Sequence, residues 1–442
     1  MRHRIVLTAI TLSLLLIVVA PGDLHIRPAL AAPTGSHATV ANGALGGTLV
    51  LPHALIGALA ALPDGRTLLV GGTYMVPTSD AAALIPAYPT GSEWALSHDG
   101  GRTWATHIST TDPYKGGSQA PVPWVEGSST WPVQFRVNGV TINPRNTAEM
   151  WAVGCTSLEQ ECRQVHGGHM VLHTTDGGRS WRDALVFTVP RVGTITGSNI
   201  HTNVRVSPDL ATALQYGGST PTEAFSLLID PRDPRRVVVA VSGLGALRSA
   251  NGGATWDFTM NPGVGVVVTF TELARDPAHP NVLYEQERGG KLYRSTDGGV
   301  HWRVQSTLAS QLHSGVSSLV IDRKTLYVTA SVGILSSHDN GTTWRVLYAA
   351  PKAPGGLLGS IRLGSGWVSA FVSQRPQSFP DGLYAPAGPG TWRQVAATDT
   401  PTQLIQGQLD LQGMESAMDT RLWAVGPTIF TAAELGGLYR IG

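Results

Sequence analysis

Two cysteines and two histidines lie close together in the chain and could do metal or redox chemistry. Cys155 and Cys162 are the two cysteines of the sequence, and His166 and His169 follow them. Two thiolates and two imidazoles can bind zinc, although this spacing is looser than in usual zinc sites. Two neighbouring cysteines in an oxidising compartment instead form a disulfide. We therefore predict a disulfide between Cys155 and Cys162 and no bound metal, with the zinc site as the alternative.

Two glutamates could carry acid–base chemistry. Hydrolysis of a glycosidic bond needs two carboxyl groups about 5–10 Å apart. Glu223 and Glu272 each lie near the start of an apolar segment that opens a repeated unit, described below. Side chains at the start of such a segment can face a central channel, so the two residues are candidate catalytic partners. Acidic residues also occur in every other unit, and this leaves the pairing open.

A turn motif repeats along the chain and indicates which elements position these residues. Its five copies are SHDGGRTW (97–104), TTDGGRSW (174–181), SANGGATW (249–256), STDGGVHW (295–302) and SHDNGTTW (337–344). A sixth segment, APAGPGTW (385–392), has lost the acid. We call these segments the DGG turns.

The side chains of the DGG turns have a structural interpretation. The Asp or Asn can accept hydrogen bonds from its own turn, the glycines adopt backbone angles that other residues resist, and the Trp packs over the turn. We therefore predict a structural rather than a catalytic role for their acids, amide and indoles. These are Asp99, Trp104, Asp176, Trp181, Asn251, Trp256, Asp297, Trp302, Asp339 and Trp344.

The segments before the DGG turns repeat as well. AFSLLIDPRDPRRVVVAVSG and FTELARDPAHPNVLYEQERG both read as a strand, an Asp-containing turn and a second strand. With the two strands that flank a DGG turn, each unit has four strands, which is the blade of a β-propeller. The last three intervals between turn tryptophans are 46, 42 and 48 residues by subtraction, typical of one blade. Units begin near residues 56, 137, 223, 269, 315, 359 and 403. We predict an all-β propeller of seven four-stranded blades, with six or eight blades as alternatives.

The ends of the predicted propeller fit a closed ring. The last unit has strands in LIQGQLDL, RLWAVG and GLYRIG and is one strand short. The segment TLVLP (48–52) precedes the first unit and could supply the missing outer strand, which would remove an open edge. The predicted propeller spans residues 45–442, with insertions near 105–136 and 190–222. The second insertion could also be a degenerate blade.

The N-terminus has the pattern of an export signal. Two arginines precede an apolar run at 5–20, and an Ala-Leu-Ala sequence at 29–31 suits cleavage. We predict a signal peptide at 1–31, a flexible segment at 32–44 and a secreted or extracytoplasmic protein, with an uncleaved N-terminal anchor as the alternative. No later segment could span a membrane. The net charge of +1 and the absence of a long basic stretch argue against nucleic acid. We expect no cofactor and a monomer.

The DGG turns resemble the repeats of the Asp-box (BNR) superfamily over residues 45–442. That group includes sialidases, sortilin-type receptors, xyloglucan-active glycoside hydrolases and photosystem II assembly-factor-like propellers. The resemblance implies a propeller fold and leaves the chemistry open. The blade spacing and the LYRSTDGG segment are most similar to the assembly-factor-like and sortilin-like members.

A sialidase would imply three arginines that hold a substrate carboxylate. Arg136, Arg205 and Arg362 are the candidates, because arginine binds a carboxylate through two parallel hydrogen bonds; ordinary strand-end arginines are the alternative. The F-R-I-P motif of sialidases is only approximated by FRVN at 135–138, after the first turn, which argues against that activity. We therefore expect a secreted, non-enzymatic module that binds an extracellular protein or carbohydrate. The alternative is an extracellular exo-glycosidase.

Overall fold

Thirty strands in seven sheets make up the part of the chain that the computed structural model describes. It describes most of residues 48–75, 89–110, 135–156, 167–188, 201–210, 224–260, 270–308, 316–350, 355–373, 382–397 and 421–441. Within these ranges, no helix is long and apolar enough to cross a membrane.

The sheets are the blades of a propeller, numbered here in chain order. Strand β1 (Thr48–Leu51) precedes blade 1, which contains β2 (Ala54–Ala61), β3 (Leu68–Met75), β4 (Pro89–Ser97) and β5 (Ala105–Thr110). Blade 2 contains β6 (Phe135–Ile142), β7 (Met150–Thr156), β8 (Gly167–Thr174), β9 (Arg182–Thr188) and β10 (His201–Thr202). Blade 3 contains β11 (Val204–Arg205), β12 (Ala224–Ile229), β13 (Val237–Val241), β14 (Gly245–Ser249) and β15 (Trp256–Phe258).

The other four blades have four strands each. Blade 4 contains β16 (Phe270–Arg275), β17 (Leu283–Glu287), β18 (Lys291–Ser295) and β19 (Arg303–Thr307). Blade 5 contains β20 (Val316–Asp322), β21 (Thr325–Ala330), β22 (Gly333–Ser337) and β23 (Arg345–Ala349). Blade 6 contains β24 (Gly355–Leu363), β25 (Gly366–Ser373), β26 (Gly382–Gly388) and β27 (Thr391–Ala397). Blade 7 contains β28 (Arg421–Val425), β29 (Thr428–Ala433), β30 (Gly437–Ile441) and the N-terminal β1.

The blades form a closed ring around their innermost strands. Strands β2, β6, β12, β16, β20, β24 and β28 contact one another in that order, and β28 contacts β2. Strand β1 pairs antiparallel with β30, with Thr48 opposite Arg440. This pairing completes blade 7 with the segment that the sequence predicted, and the predicted seven-bladed propeller is confirmed.

The core lies between the blades, so most strands are covered on both faces. All five residues of β13, VVVAV, are buried, as expected for a strand enclosed on both sides. Its alternate residues join different clusters: Val237, Val239 and Val241 pack toward blade 2, whereas Val238 and Ala240 pack toward blade 4. The outermost strands are more exposed.

The ring has two unlike faces. In every antiparallel blade the first-to-second and third-to-fourth connections lie at one face, and the DGG turns are among them. We call this the DGG face. The second-to-third connections and those between blades begin and end at the other face, which we call the loop face. The longest connections, at 76–88, 111–134, 189–223 and 398–420, are of this second type.

The structure revises three details of the predicted organisation. The innermost strand of blade 7 is β28 rather than LIQGQLDL, which lies outside the described residues, and β29 was not predicted. The two ends of the insertion near 105–136 are regular strand, because 105–110 form β5 and 135–136 open β6, while residues 111–134 lie outside the described residues. The 190–222 segment is not an eighth blade, since its short strands β10 and β11 join the outer edges of blades 2 and 3. Residues 1–47, with the predicted signal peptide and flexible segment, lie outside the described residues.

Candidate functional site

A β-bulge recurs where the innermost strands begin at the loop face. Six of these strands shift register by one residue against their neighbour close to their first residue. The residues that directly follow the bulge are Ala58, Gly139, Ser226, Glu272, Ser318 and Gly359. A bulge releases backbone groups from the ladder and redirects side chains. The sequence carries no signal for these bulges beyond the alignment of the units.

Side chains at the bulges bond to the next blade. Ser226 Oγ accepts a hydrogen bond from the N–H of Leu273 in blade 4 (3.2 Å). The carboxylate of Glu272 occupies the equivalent position one blade further and accepts from the N–H of Leu319 in blade 5 (2.6 Å, to Oε2). The other five members of this set are glycine, alanine or serine, so Glu272 is the one member with an ionisable side chain.

The environment of Glu272 changes its acidity. Burial raises the pKa of its carboxyl to about 7, against the opposing effect of the Leu319 amide. Such a group can hold a proton near neutral pH and in principle act as a general acid. Glycoside hydrolysis requires a second carboxyl group nearby.

The described innermost strands do not supply that second carboxyl group. Their other acidic residue is Asp322, the last residue of β20. It lies four residues beyond Ser318, the counterpart of Glu272, which places it about 13 Å further along the strand direction. Glu223, the predicted partner, lies outside the described residues.

The three candidate arginines do not form one cluster. Arg136 is on the innermost strand of blade 2, whereas Arg205 is on β11 at the outer edge of blade 3. Arg205 is 67% exposed and forms an ion pair with Asp257 (Nη1 to Oδ1, 3.1 Å). Arg362 is on the innermost strand of blade 6. A carboxylate site built from all three would require Arg205 to lie near the channel, so the structure contradicts that prediction.

A second group of carboxyls lies in the seam between blades 3 and 4. Glu285 is 0% exposed, lies directly opposite Tyr293 in the ladder, and has no hydrogen-bond partner for either oxygen among the described residues. Burial raises its pKa well above the ordinary value of 4.5. Nearer the loop face, Glu287 Oε2 accepts a hydrogen bond from the Tyr293 hydroxyl (3.2 Å) and lies 3.7 Å from Lys291 Nζ. Burial and the charge of Glu287 raise the pKa of Tyr293. No sequence pattern singled out this group.

The DGG face carries a buried histidine. His173 stacks on Trp151 with ring centroids 3.8 Å apart. Its Nε2 lies 3.1 Å from Glu149 Oε1 and its Nδ1 lies 2.5 Å from Arg182 Nη2. Because Arg182 can only donate, Nδ1 is the acceptor and Nε2–H donates to Glu149. Burial and the charge of Arg182 lower the pKa of His173 to about 4, so the ring is neutral. The His173 side chain is 5% exposed.

The DGG turns bond internally. Asp99 Oδ1 accepts from the N–H of Thr103 (3.0 Å), and Asp99 Oδ2 accepts from its hydroxyl (2.6 Å). In the Asn251 turn, Oδ1 accepts from the N–H of Thr255, while Nδ2 donates to its hydroxyl. The same acceptor role recurs at Asp176, Asp297 and Asp339. These bonds lower the pKa of all four aspartates. At Asp176 and Asp297 they outweigh the opposing effect of burial and bring the pKa to about 2. The acids are thus engaged within their own turns.

The tryptophans of the turns also join blades. Trp256 Nε1 donates to the carbonyl of Ala184 in blade 2 (2.6 Å), and Trp344 Nε1 donates to Ser306 Oγ in blade 4 (3.1 Å). Trp181 stacks on Trp94 of blade 1, with centroids 4.5 Å apart. These three rings therefore pack against the preceding blade, and Trp344 Nε1 also donates to the carbonyl of Gly341 in its own turn (3.1 Å).

The described part of the chain contains no group of three metal-ligating side chains. Cys155 is buried in β7, and no described cysteine is a free thiol. Cys162 and His166 lie outside the described residues. The pairing of Cys155 with Cys162 stays a prediction.

Comparison with known proteins gives partial matches. No family model matches the chain. A xyloglucanase from Hypocrea jecorina is 30% identical over 181 residues, covering 35% of this chain and 21% of that protein. The xyloglucanase Xgh74A of Acetivibrio thermocellus is 32% identical over 173 residues, covering 30% of this chain and 20% of that protein. The chain thus spans about a fifth of the length of the curated relatives it matches.

Among solved structures, YCF48 bound to D1 peptide aligns with a TM-score of 0.48 and 16% identity, covering 92% of this chain and 99% of that one. The architecture described above is that of a β-propeller, and parts of its sequence are similar to xyloglucanases.

Proposed function

We propose that this protein is a secreted propeller of the Asp-box kind that binds an extracellular glycan or protein at its loop face without catalysing a reaction. The observation that carries the proposal is the distribution of carboxyl groups. The described innermost strands hold one carboxyl group near the loop face, Glu272, and it is engaged with the backbone of the next blade. The paired carboxyls of a glycosidase are absent from these strands.

The loop face is the favoured binding surface for a topological reason. The DGG face consists of tight turns whose polar groups bond to one another. The loop face carries the long connections, and long connections on a rigid scaffold are where binding residues concentrate. Xyloglucan is the first ligand to test, because the curated relatives act on it by name.

A second candidate function is hydrolysis of an extracellular β-glucan. The similarity to xyloglucanases favours it, as does the raised pKa of Glu272, which suits a general acid. Such an enzyme would take at least one carboxyl group from outside the described residues, with Glu223 as the candidate.

One experiment separates the two functions. The purified exported protein is run through native gels containing xyloglucan, mixed-linkage β-glucan or starch, and new reducing ends are measured in parallel. Binding predicts retardation by one glucan without new reducing ends. Hydrolysis predicts reducing ends that disappear in Glu272→Gln but persist in the control Asp257→Asn, a change on the outer rim. Retardation by none of the three would leave a protein ligand as the remaining form of the binding proposal, to be sought by cross-linking in the medium.

The proposed export has its own test. Signal cleavage predicts a mature protein in the culture medium that begins at Ala32. A full-length product in the membrane fraction would support the anchored alternative.

A further inference from the structure

Apolar side chains are exposed on the outer rim of blades 4 and 5. Val304 on β19 is 54% exposed and Val346 on β23 is 53% exposed. Leu347, next to Val346, and Val300, in the DGG turn that precedes β19, are also exposed. The two rims are joined, since Gln305 Nε2 donates to Thr342 Oγ1 (2.8 Å). Both strands are outermost in their sheets, so their outer edges have no strand partner in the described chain.

Blades 2 and 3 differ because the chain covers their outer edges itself. Strand β11 adds to β15 in parallel, with Val204 opposite Trp256 and Arg205 opposite Asp257. Val204 is 4% exposed, and Arg205 forms its ion pair with Asp257. The short added strand thus places an apolar side chain opposite the Trp of the turn, and a side chain of opposite charge opposite the residue that follows that Trp.

The same positions on blades 4 and 5 carry the opposite charge. The residue after the turn Trp is Asp257 in blade 3, Arg303 in blade 4 and Arg345 in blade 5. Both arginines are exposed, and no ion pair with a described carboxylate is seen for either. Arg345 donates to Ser336 Oγ (3.4 Å) and lies 2.8 Å from His338 Nε2, so its present partners are uncharged or weakly basic rather than acidic. An added strand that follows the β11 pattern would therefore place an acidic residue opposite each arginine and apolar residues on either side.

We propose that β19 and β23 bind an extended segment of a partner protein, in which an acidic residue lies between apolar residues, by parallel strand addition. An exposed edge offers a row of backbone donors and acceptors, and its side chains select the guest sequence. The fifth strand of blade 3 shows that a segment of this chain already uses this geometry. The surface is on the outer rim, so it is distinct from the proposed ligand site at the loop face.

A charge-swap experiment tests the proposal. The probe is a fluorescein-labelled peptide Thr-Asn-Val-Glu-Val-Thr-Val, and the matched peptide has Arg in place of Glu. Fluorescence anisotropy with the full chain should show saturable binding of the acidic peptide. The double variant R303E/R345E should bind it at least about 10-fold more weakly, equivalent to about 1.4 kcal/mol, and should bind the arginine peptide more tightly than the unaltered protein does. The control Arg66→Glu, an exposed arginine in the first turn of blade 1, should bind as the unaltered protein does.

Three results would overturn the proposal. The first is equal binding of the two peptides. The second is loss of binding in Arg66→Glu to the same extent as in R303E/R345E. The third is a concentration-dependent dimer in sedimentation velocity that disappears in V304K/V346K, because a second copy of the chain would then be the occupant. Far-ultraviolet circular dichroism of every variant verifies that the fold is intact.

Discussion

The carboxylate of Glu272 accepts a hydrogen bond of 2.6 Å from the backbone N–H of Leu319 and thereby joins the innermost strands of blades 4 and 5. Ser226 makes the equivalent bond to Leu273 one blade earlier. A residue that the sequence suggests for catalysis thus occupies a structural position between blades. Its raised pKa makes the contribution of that position to stability dependent on pH.

Glu272→Gln should remove part of the pH dependence of stability. The pKa in the folded state is raised from 4.5 to about 7, so the folded protein holds a proton that the unfolded chain releases. The contribution of Glu272 to the free energy of unfolding therefore falls as the pH rises from 4.5 to 7, and it does not change further above pH 7. The amide of the variant can still accept a hydrogen bond from the Leu319 N–H. The free energy of unfolding of the variant, measured relative to the unaltered protein, should therefore be on the order of 1–3 kcal/mol higher at pH 8 than at pH 4. Urea unfolding at a series of pH values measures the difference. An unchanged slope would mean that Glu272 is hydrated.

Glu285→Met should stabilise the seam between blades 3 and 4. The carboxyl is buried among apolar residues with no hydrogen-bond partner in the described chain, and such burial costs about 1–3 kcal/mol. Removal of the polar group should raise the free energy of unfolding by a similar amount at neutral pH. Glu285→Gln is the control, because it keeps an unbonded polar group and should gain much less. Equal gains in the two variants would show that charge alone is responsible.

The stability contributed by His173 should be lost in acid. Its pKa is lowered from 6.5 to about 4 in the folded state, so the unfolded chain binds the proton more readily. Stability is complete above pH 6.5 and declines on the order of 1–3 kcal/mol as pH falls to 4. His173→Gln should lack this decline, whereas His98→Gln, at an exposed position, should keep it. An NMR titration midpoint of the His173 ring above 6 would contradict the assignment.

The variants Asp176→Asn and Asp176→Ala should differ sharply in their free energy of unfolding. The carboxylate accepts hydrogen bonds from the N–H and hydroxyl of Ser180. An asparagine retains the Oδ1 acceptor, as Asn251 does in blade 3. We expect Ala to cost about 1–2 kcal/mol of unfolding free energy and Asn clearly less. Because the pKa of Asp176 is lowered to about 2 from 3.8, the contribution of the acid persists above pH 4 and declines toward pH 2. Equal losses in both variants at pH 7 would refute the acceptor role.

Closure of the ring can be tested on β1. Leu51 is 2% exposed in the core shared by blades 1 and 7, whereas Leu49, two residues earlier, is 45% exposed. Leu51→Ala should cost about 2–4 kcal/mol because it leaves a cavity in that core. Leu49→Ala should change the free energy of unfolding by less than about 0.5 kcal/mol. Guanidinium unfolding of both variants provides the comparison, and similar losses would show that β1 does not close the ring.

The repeats made the architecture predictable from the sequence. The DGG turns recur with six of the twelve tryptophans, and their spacing is that of a four-stranded blade. Local chemistry decides these turns, because each Asp bonds to residues at most four positions away. The role of β1 was also predictable, because the last unit was one strand short. The innermost strand of blade 7 was placed incorrectly, since that unit has no DGG turn to set its register.

The candidate site depended on contacts that no local pattern encodes. The bond from Leu319 to Glu272 joins residues 47 positions apart, and Asn138 Nδ2 donates to Ala224 O across 86 positions. Glu285 is buried because blades 3 and 4 meet there, and His173 is buried because the Trp151 indole stacks on its imidazole ring. Sequence alone therefore determined the fold through short-range, repeated interactions. Which side chains lie together, and which carboxyls hold their protons, was decided only when the seven blades packed against one another, because burial and charge pairing are properties of that packing.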